Sequence, residues 1–118
     1  MSGGRDAGRL GEDLALRHLV QEGYELLARN YRTRRGEIDL IVRRGATLVF
    51  VEVKLRRGVG FGEPLESITP RKQERIRSAA SHYLSGLPED EFEEVRFDAI
   101  GVLVRGGRAS VTHLKDAF

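Results

Sequence analysis

The chain has 118 residues, a length that fits a single domain, residues 1–118, with one hydrophobic core. Hydrophobic residues make up 40% and charged residues 32%, typical of a soluble globular protein, and the absence of cysteine excludes disulfides and thiolate metal sites. No stretch approaches the roughly 20 apolar residues of a membrane span, and the N-terminus lacks the apolar core of a secretion signal. We therefore expect a cytoplasmic protein without membrane association.

Positive charge is concentrated in the middle of the chain. Residues 29–77 carry 13 basic and six acidic side chains, a net charge of +7, whereas the rest of the chain carries −5. Arginine accounts for 17 of the 20 basic residues, and its guanidinium favours bidentate contacts with phosphate. This pattern indicates either a polyanionic partner such as nucleic acid or simply a solvated basic face.

The predicted elements follow the order αβββαββ. A first helix is predicted over residues 5–22, and a second helix runs from Thr69 as N-cap to about residue 84. A glycine-rich loop over residues 56–66 precedes the second helix. The strands are predicted over residues 24–31, 37–43, 47–55, 95–104 and 110–114. Because helices and strands do not alternate strictly, we expect an α/β fold with a mixed sheet of four to five strands flanked by helices.

The second and third strands are joined by Gly45 and Ala46, which suit a type II′ hairpin turn. In that register the residue numbers of each cross-strand pair add up to 91. A shift of one residue would place both valines and carboxylates on each face of the hairpin. One face, expected to be core, pairs Ile38 with Val53, Leu40 with Val51 and Val42 with Val49. The other face, expected to point outward, pairs Glu37 with Lys54, Asp39 with Glu52, Ile41 with Phe50 and Arg43 with Leu48.

Asp39 and Glu52 are thus expected to lie directly opposite each other, with Cβ atoms about 5 Å apart. Like charges at that distance repel by roughly 3 kcal/mol at an effective dielectric constant of about 20. A divalent cation would remove the repulsion, and oxygen ligands without thiolates favour Mg²⁺ or Mn²⁺. Lys54 could then contact a metal-bound water or a phosphate. The alternative is an exposed strand face on which Lys54 pairs with Glu37.

Two helical residues and one strand residue add polar groups to apolar surroundings. Glu12 falls on the stripe of Ala15 and Leu19, so it either points at the hairpin as a third acidic group or reaches solvent or an arginine. Gln73, in the first turn of the second helix, either hydrogen-bonds a loop or orients a metal-bound water or a phosphate. We interpret Asp98, which faces away from Phe97 and Ala99 in its predicted strand, as structural or as a support for the site.

The acidic residue on a helix, followed by Asp-x12-Glu-x-Lys across a hairpin, resembles the PD-(D/E)xK nuclease superfamily. The strings LGEDLA, RGEIDLI, LVFVEVK and ITPRKQ resemble the YraN-like family of bacterial proteins, over nearly the whole chain from about Gly8 to HLKDAF. That family is described as endonuclease-like and related to archaeal Holliday junction resolvases. The resemblance implies a restriction-endonuclease-like fold and a metal-dependent endonuclease, with Mg²⁺ or Mn²⁺ as cofactor, that acts on structured or branched DNA. The proline of the superfamily name is absent, since Ile38 precedes Asp39.

By the same resemblance, Asp39 and Glu52 are metal ligands, Lys54 is the catalytic lysine and Glu12 is the helical acidic residue of the site. Gln73 and Glu37 are expected to be accessory residues. The side chains expected to bind backbone phosphates are Arg32, Arg34, Arg35, Arg56, Arg57, Arg71, Lys72 and Arg75.

The resemblance also implies a homodimer, because a resolvase has to cut two strands. Two rival hypotheses remain at this stage. The first is a nucleic-acid-binding module that keeps the fold but does not cut. The second is a scaffold for a protein partner, which is indicated only by the acidic segment at residues 89–94.

Overall fold

The computed structural model describes residues 3–58 and 68–118, and its elements follow the predicted order αβββαββ. The elements are α1 (Gly3–Gln21), β1 (Glu25–Arg32), β2 (Glu37–Arg44), β3 (Thr47–Arg57), α2 (Pro70–Ser85), β4 (Glu94–Arg105) and β5 (Arg108–Leu114). Strand β3 therefore extends into the glycine-rich loop predicted over residues 56–66, and residues 59–66 of that loop lie outside the described ranges. None of the helices described is long and apolar enough to span a membrane.

The five strands form one sheet in the order β1-β2-β3-β4-β5. Strands β3 and β4 are parallel, and every other neighbouring pair is antiparallel. The parallel pair needs a long crossover, which is the segment that contains α2, while tight turns suffice for the β2–β3 and β4–β5 hairpins. This arrangement confirms the predicted mixed sheet flanked by helices.

Each face of the sheet carries its own apolar cluster, one beneath α1 and one beneath α2. The α1 cluster includes Ala15, Leu19, Leu40, Val42, Val49, Val51, Ile100 and Val102. The α2 cluster includes Ile38, Ile41, Leu48, Phe50, Ile76, Ala79 and Ala80. The expectation that the second face of the hairpin points outward is therefore wrong, because α2 covers it and buries Glu52 to 4% exposure.

The predicted hairpin register is confirmed from Arg44–Thr47 through Leu40–Val51. Gly45 has a φ of 60°, as a primed hairpin turn requires. The backbone ladder between β2 and β3 ends at Leu40, so Asp39 and Glu52 do not form the next rung. Instead, the Asp39 carboxylate accepts a hydrogen bond from the Val53 amide at 2.8 Å.

The alternation of faces along β2 is interrupted at Asp39. Ile38 packs beneath α2 whereas Leu40 packs beneath α1, although residues two apart on a regular strand share a face. Asn30, which lies opposite Asp39 on β1, has a φ of 54° and makes the neighbouring strand irregular at the same level. The prediction that Ile38 shares the face of Leu40 is therefore wrong.

Candidate active site

A pocket of about 710 Å³ opens where the ends of β2 and β3 meet α1, α2 and the turn between β1 and β2. Its lining brings together side chains that are distant in sequence, and acidic and basic groups face each other across it. The predicted site residues that line it are Glu12, Arg32, Glu37, Asp39, Glu52, Lys54, Arg71, Lys72 and Arg75. The fold therefore gathers most of the predicted site into one cavity.

Asp39 is held at the point where the β2–β3 ladder stops. Its Oδ2 accepts the Val53 amide hydrogen bond, so the side chain replaces the missing backbone rung and is fixed beside Glu52. Burial, together with the neighbouring Glu52 carboxylate, raises the pKa of Asp39 from 3.8 to about 8, although the Val53 amide acts in the opposite direction. The Glu52 carboxylate therefore lies close enough to disfavour the charge of Asp39, as the sequence predicted.

Glu52 is buried on the α2 side of β3, and its countercharge comes from that helix. Lys72 Nζ lies 2.5 Å from Glu52 Oε2. Helix α2 begins at this place because Thr69 caps it, its side chain accepting the Lys72 amide hydrogen bond at 3.2 Å, and Pro70 follows the cap. The predicted cap is thus confirmed, and it carries Lys72 in the first turn to the carboxylate.

Two lysines lie side by side in the pocket. Burial and the nearby Lys72 ammonium lower the pKa of Lys54. For Lys72 burial acts in the same direction, but the contact with Glu52 outweighs it and raises the pKa. Lys54 is therefore the more readily deprotonated lysine of the two, whereas Lys72 keeps its charge as the partner of Glu52.

Glu12 adopts the alternative in which the helical acid contacts an arginine. Its Oε1 lies 3.1 Å from Arg29 Nε and 3.2 Å from Asn30 Nδ2, and Arg29 also pairs with Asp13 at 2.7 Å. The Glu12 charge nevertheless contributes to the raised pKa of Asp39, so it lies within electrostatic reach of the carboxylate pair. Its assignment as a metal ligand stays a prediction.

The two accessory residues make local contacts. Gln73 does not line the pocket, and its Nε2 donates to the Ile68 carbonyl oxygen at 3.1 Å, which is the loop hydrogen bond among its two predicted alternatives. Glu37 pairs with Arg32 at 2.8 Å, so in this structure it is Arg32, and not Lys54, that neutralises Glu37. The exposed-face alternative, in which Lys54 and Glu37 pair, is therefore not what the structure shows.

The remaining basic residues divide into three groups. Arg71 and Arg75 line the pocket with Lys72, whereas Arg34 and Arg35 line a neighbouring groove. Arg56 and Arg57 are exposed at the end of β3 and line neither cavity. Of these groups, only Arg71, Lys72 and Arg75 share the pocket with the carboxylates, and the assignment of each basic residue to phosphate stays a prediction.

Sequence reasoning missed the turn between β1 and β2, which forms one wall of the pocket. The Thr33 amide donates to the Gly36 carbonyl at 2.8 Å, and Thr33 Oγ1 accepts from the amides of Arg35 and Gly36. A side chain at Gly36 would overlap the Arg75 carbonyl oxygen, so only glycine allows this turn to approach α2 so closely. The glycine in RRGE was the available signal.

A second buried polar cluster lies on the α1 side of the sheet, around Asp98. Arg96 approaches both Asp98 oxygens at 2.8 and 2.9 Å and donates to the Tyr24 hydroxyl at 2.6 Å, while His113 Nε2 lies 2.7 Å from Asp98 Oδ2. The Asp116 amide completes the set at 3.1 Å. Burial opposes the Asp98 charge, but His113 and Arg96 outweigh it and lower the pKa. These contacts support the interpretation of Asp98 as structural.

Two carboxylates of the pocket, those of Asp39 and Glu52, are suited to bind a hard divalent cation. Across the two described ranges, no three side chains of His, Cys, Asp or Glu are grouped closely enough to hold a metal ion. Mg²⁺, however, is commonly bound by one or two carboxylates that share it with waters and substrate phosphates. The adjacent carboxylates of Asp39 and Glu52 have the oxygen donors and the unfavourable mutual charge that such an ion would relieve.

Residues 11–102 match the model of a family described as "Uncharacterised protein family UPF0102". A UPF0102 protein of Syntrophomonas wolfei is 43% identical over 114 residues, which cover 97% of this chain and 98% of the relative. UPF0102 proteins of Rhodococcus opacus and Chlorobaculum parvum are 46% and 47% identical, and the alignments cover 94% of this chain in both cases and 94% and 90% of the relatives. The chain therefore belongs to the UPF0102 family, which is the YraN-like family that its sequence strings resemble.

Proposed function

We propose that this protein is a metal-dependent endonuclease that hydrolyses phosphodiester bonds in structured or branched DNA. The observation that carries the proposal is the adjacent pair of Asp39 and Glu52: burial and the neighbouring Glu52 carboxylate raise the pKa of Asp39, in a pocket that basic side chains also line. Strongly perturbed carboxylates in a cavity are typical of catalytic sites. The resemblance to PD-(D/E)xK nucleases and Holliday junction resolvases supports the same reaction.

In this proposal Asp39 and Glu52 hold Mg²⁺ or Mn²⁺, which supplies Lewis-acid chemistry to the phosphodiester. The Val53 amide orients Asp39, and burial beneath α2 orients Glu52. Lys54 stabilises the negative charge that develops on the phosphate, and Lys72 lies beside it as a second basic group. Arg71 and Arg75, on the first turns of α2, bind the neighbouring phosphates.

The alternative is a nucleic-acid-binding module that does not cut. The observation that favours it is the ion pair between Lys72 Nζ and Glu52, at 2.5 Å, because the chain itself supplies a cation to one of the two carboxylates. Such a module would keep the basic surroundings of the pocket and bind DNA without any requirement for metal. The two hypotheses therefore differ in whether Glu52 exchanges Lys72 for a divalent cation.

The test compares the wild type with Asp39→Asn on a four-way DNA junction, a duplex and a single strand of matched sequence, each with Mn²⁺. We expect the wild type to cut the junction and Asp39→Asn to bind it without cutting. The control is Asp90→Asn, which removes the same charge from an exposed aspartate outside the pocket and should cut like the wild type.

The outcomes separate the hypotheses. Binding by both proteins without cutting of any substrate would leave the binding module and reject the enzyme. Equal cutting by the wild type and Asp39→Asn would reject the assigned site. Failure to bind any of the three DNAs at about 50 mM salt, where phosphate contacts are strong, would reject both hypotheses. The homodimer stays a prediction, which light scattering of the free protein and of its junction complex would check.

A further inference from the structure

A second groove, of about 910 Å³, lies on the other side of the β1–β2 turn from the pocket. We call it the α2 groove. Its basic wall is formed by Arg32, Arg34 and Arg35, and its other wall by the α2 serines Ser78, Ser81 and Ser85. Thr33 and His82 complete the lining, and none of the lining residues is acidic. A cavity that combines guanidinium groups and hydroxyls without carboxylates has the donor set that binds phosphate oxygens.

The arginines of the groove are presented by a rigid turn. The Thr33 hydrogen bonds close the turn, and Arg75 Nε on α2 donates to the Arg35 carbonyl oxygen at 3.3 Å. Because Gly36 packs directly on the Arg75 backbone, the turn cannot move away from α2 without breaking this packing. Binding therefore has to order only the long side chains and not the backbone, which reduces the entropic cost.

The charges of the turn are unequally neutralised. Arg32 pairs with Glu37, on the pocket side of the turn. Among the ion pairs of the described part of the chain, none includes Arg34 or Arg35, and both residues are exposed. The positive charge of the turn that no ion pair of the described residues compensates therefore lies at the α2 groove.

The serines set the length and the donors of the groove. Ser78 and Ser85 are seven positions apart on α2, so they span about 10 Å, close to the rise of three nucleotides along one strand of a duplex. Ser85 Oγ already donates to the His82 carbonyl oxygen at 2.6 Å. Among the side-chain hydrogen bonds of the described residues, none uses the Ser78 or Ser81 hydroxyl, so both can donate to a backbone phosphate.

The groove is continuous with the pocket, because Arg32 and Thr33 line both. We propose that the α2 groove binds the sugar-phosphate backbone of the strand whose scissile phosphate lies in the pocket, over two to three nucleotides to one side of the cut. The proposal rests on the proposed function and adds to it the path of the substrate. It also predicts contacts that are independent of base sequence, since they reach only phosphates.

The test measures the affinity of a fluorescein-labelled four-way junction by anisotropy, in a chelator so that no cutting occurs. Ser81→Glu places a negative charge in the groove, and we expect it to weaken binding about tenfold, the effect of removing one charge-assisted hydrogen bond. The matched control is Ser110→Glu, which adds the same charge at an exposed serine of β5, outside both cavities, and should bind like the wild type.

A second comparison uses variants that remove positive charge and introduce no acidic group. Arg34→Gln/Arg35→Gln should reduce the slope of log K against log salt by about two, because each arginine neutralises one phosphate. The control Arg105→Gln/Arg108→Gln removes the same charge from the β4–β5 hairpin and should leave the slope unchanged.

Binding that is the same for Ser81→Glu as for Ser110→Glu, with equal salt slopes for the two double variants, would overturn the inference. That result combined with cutting by the wild type would leave the proposed function standing. Groove variants that bind the junction weakly, in a protein that never cuts, would instead support the groove and reject the nuclease. Absence of junction binding by the wild type would overturn both proposals.

Discussion

Two clusters of polar side chains lie within the described part of the chain, one around Asp98 and one around Asp39, and they differ in how their charges are balanced. Around Asp98, a guanidinium, an imidazole and a backbone amide all contact one carboxylate, and the pKa of Asp98 is lowered. The neighbour of Asp39 is a second carboxylate, that of Glu52, and the pKa of Asp39 is raised to about 8. Burial acts alike on both residues, so the difference lies in the partners.

The comparison separates a structural cluster from a candidate site. A buried carboxylate with a full set of partners ties β4, β5 and the connection between α1 and β1 together and has no need of a ligand. A buried carboxylate beside another acid is unfavourable until something cationic arrives. Lys72 meets part of that need at Glu52, and a metal ion would meet the rest.

The largest expected effect is on stability, at the cluster around Asp98, where the charges are balanced. Asp98→Asn leaves Arg96 buried without its countercharge, so it should lower the free energy of unfolding by about 3 to 5 kcal/mol. Asp39→Asn removes the cost of keeping an acid beside Glu52 and should leave the stability unchanged or raise it. Urea unfolding in a chelator measures both, and a larger decrease for Asp39→Asn than for Asp98→Asn would contradict the comparison.

The next largest effect is expected on catalysis, at the pair of Asp39 and Glu52, where the charges are not balanced. Glu52→Gln should reduce junction cutting in Mn²⁺ by more than the roughly 100-fold that is typical when a residue only supports a metal ligand. It should also weaken Mn²⁺ binding in calorimetric titration, because one of two carboxylates is removed. The control is Glu89→Gln, an exposed glutamate far from β3 in sequence. Equal Mn²⁺ affinity for Glu52→Gln and the control would show that Glu52 is not a ligand.

A smaller effect is expected at Lys72, where the chain's own cation competes with the metal. Lys72→Met should tighten Mn²⁺ binding about fivefold, corresponding to the roughly 1 kcal/mol of a partly exposed ion pair. Lys115→Met, at an exposed lysine, provides the matched control. If Mn²⁺ binds neither protein measurably, the non-catalytic module is favoured, and if Mn²⁺ binds both equally, Lys72 does not compete with the metal for Glu52.

The smallest effect is a difference in pH dependence, measured without metal. The folded-state pKa of Asp39 is raised, so in the window between 3.8 and about 8 the native state keeps a proton that the unfolded state has released, and stability falls as pH rises. The pKa of Asp98 is lowered, so its stabilisation is complete above 3.8 and disappears as pH falls through the folded-state value. The stability of Asp39→Asn relative to the wild type should therefore increase from about pH 5 to about pH 8, and a constant difference in urea unfolding would contradict the assignment.

The prediction from sequence was best where contacts are local. The order of elements, the Thr69 cap and the Gly45 turn were all visible, and the turn implied the pairing of Leu40 with Val51. The prediction failed at Ile38, because alternation says nothing about where a strand becomes irregular. It also failed for the face that carries Glu52, because a hairpin does not show that a helix later in the chain will cover it.

The sequence by itself determined that Asp39, Glu52 and Lys54 lie at one end of one hairpin, since turn geometry and the period of a strand are local properties. Only the tertiary structure decided which groups contact each other around the pocket. Lys72 pairs with Glu52, Arg29 pairs with Glu12, and the Arg75 backbone packs on Gly36. Those contacts join elements whose approach depends on how both helices pack against the sheet, and no local pattern encodes that packing. The balance of charge in the pocket, and with it the proposed chemistry, is therefore a property of the folded chain.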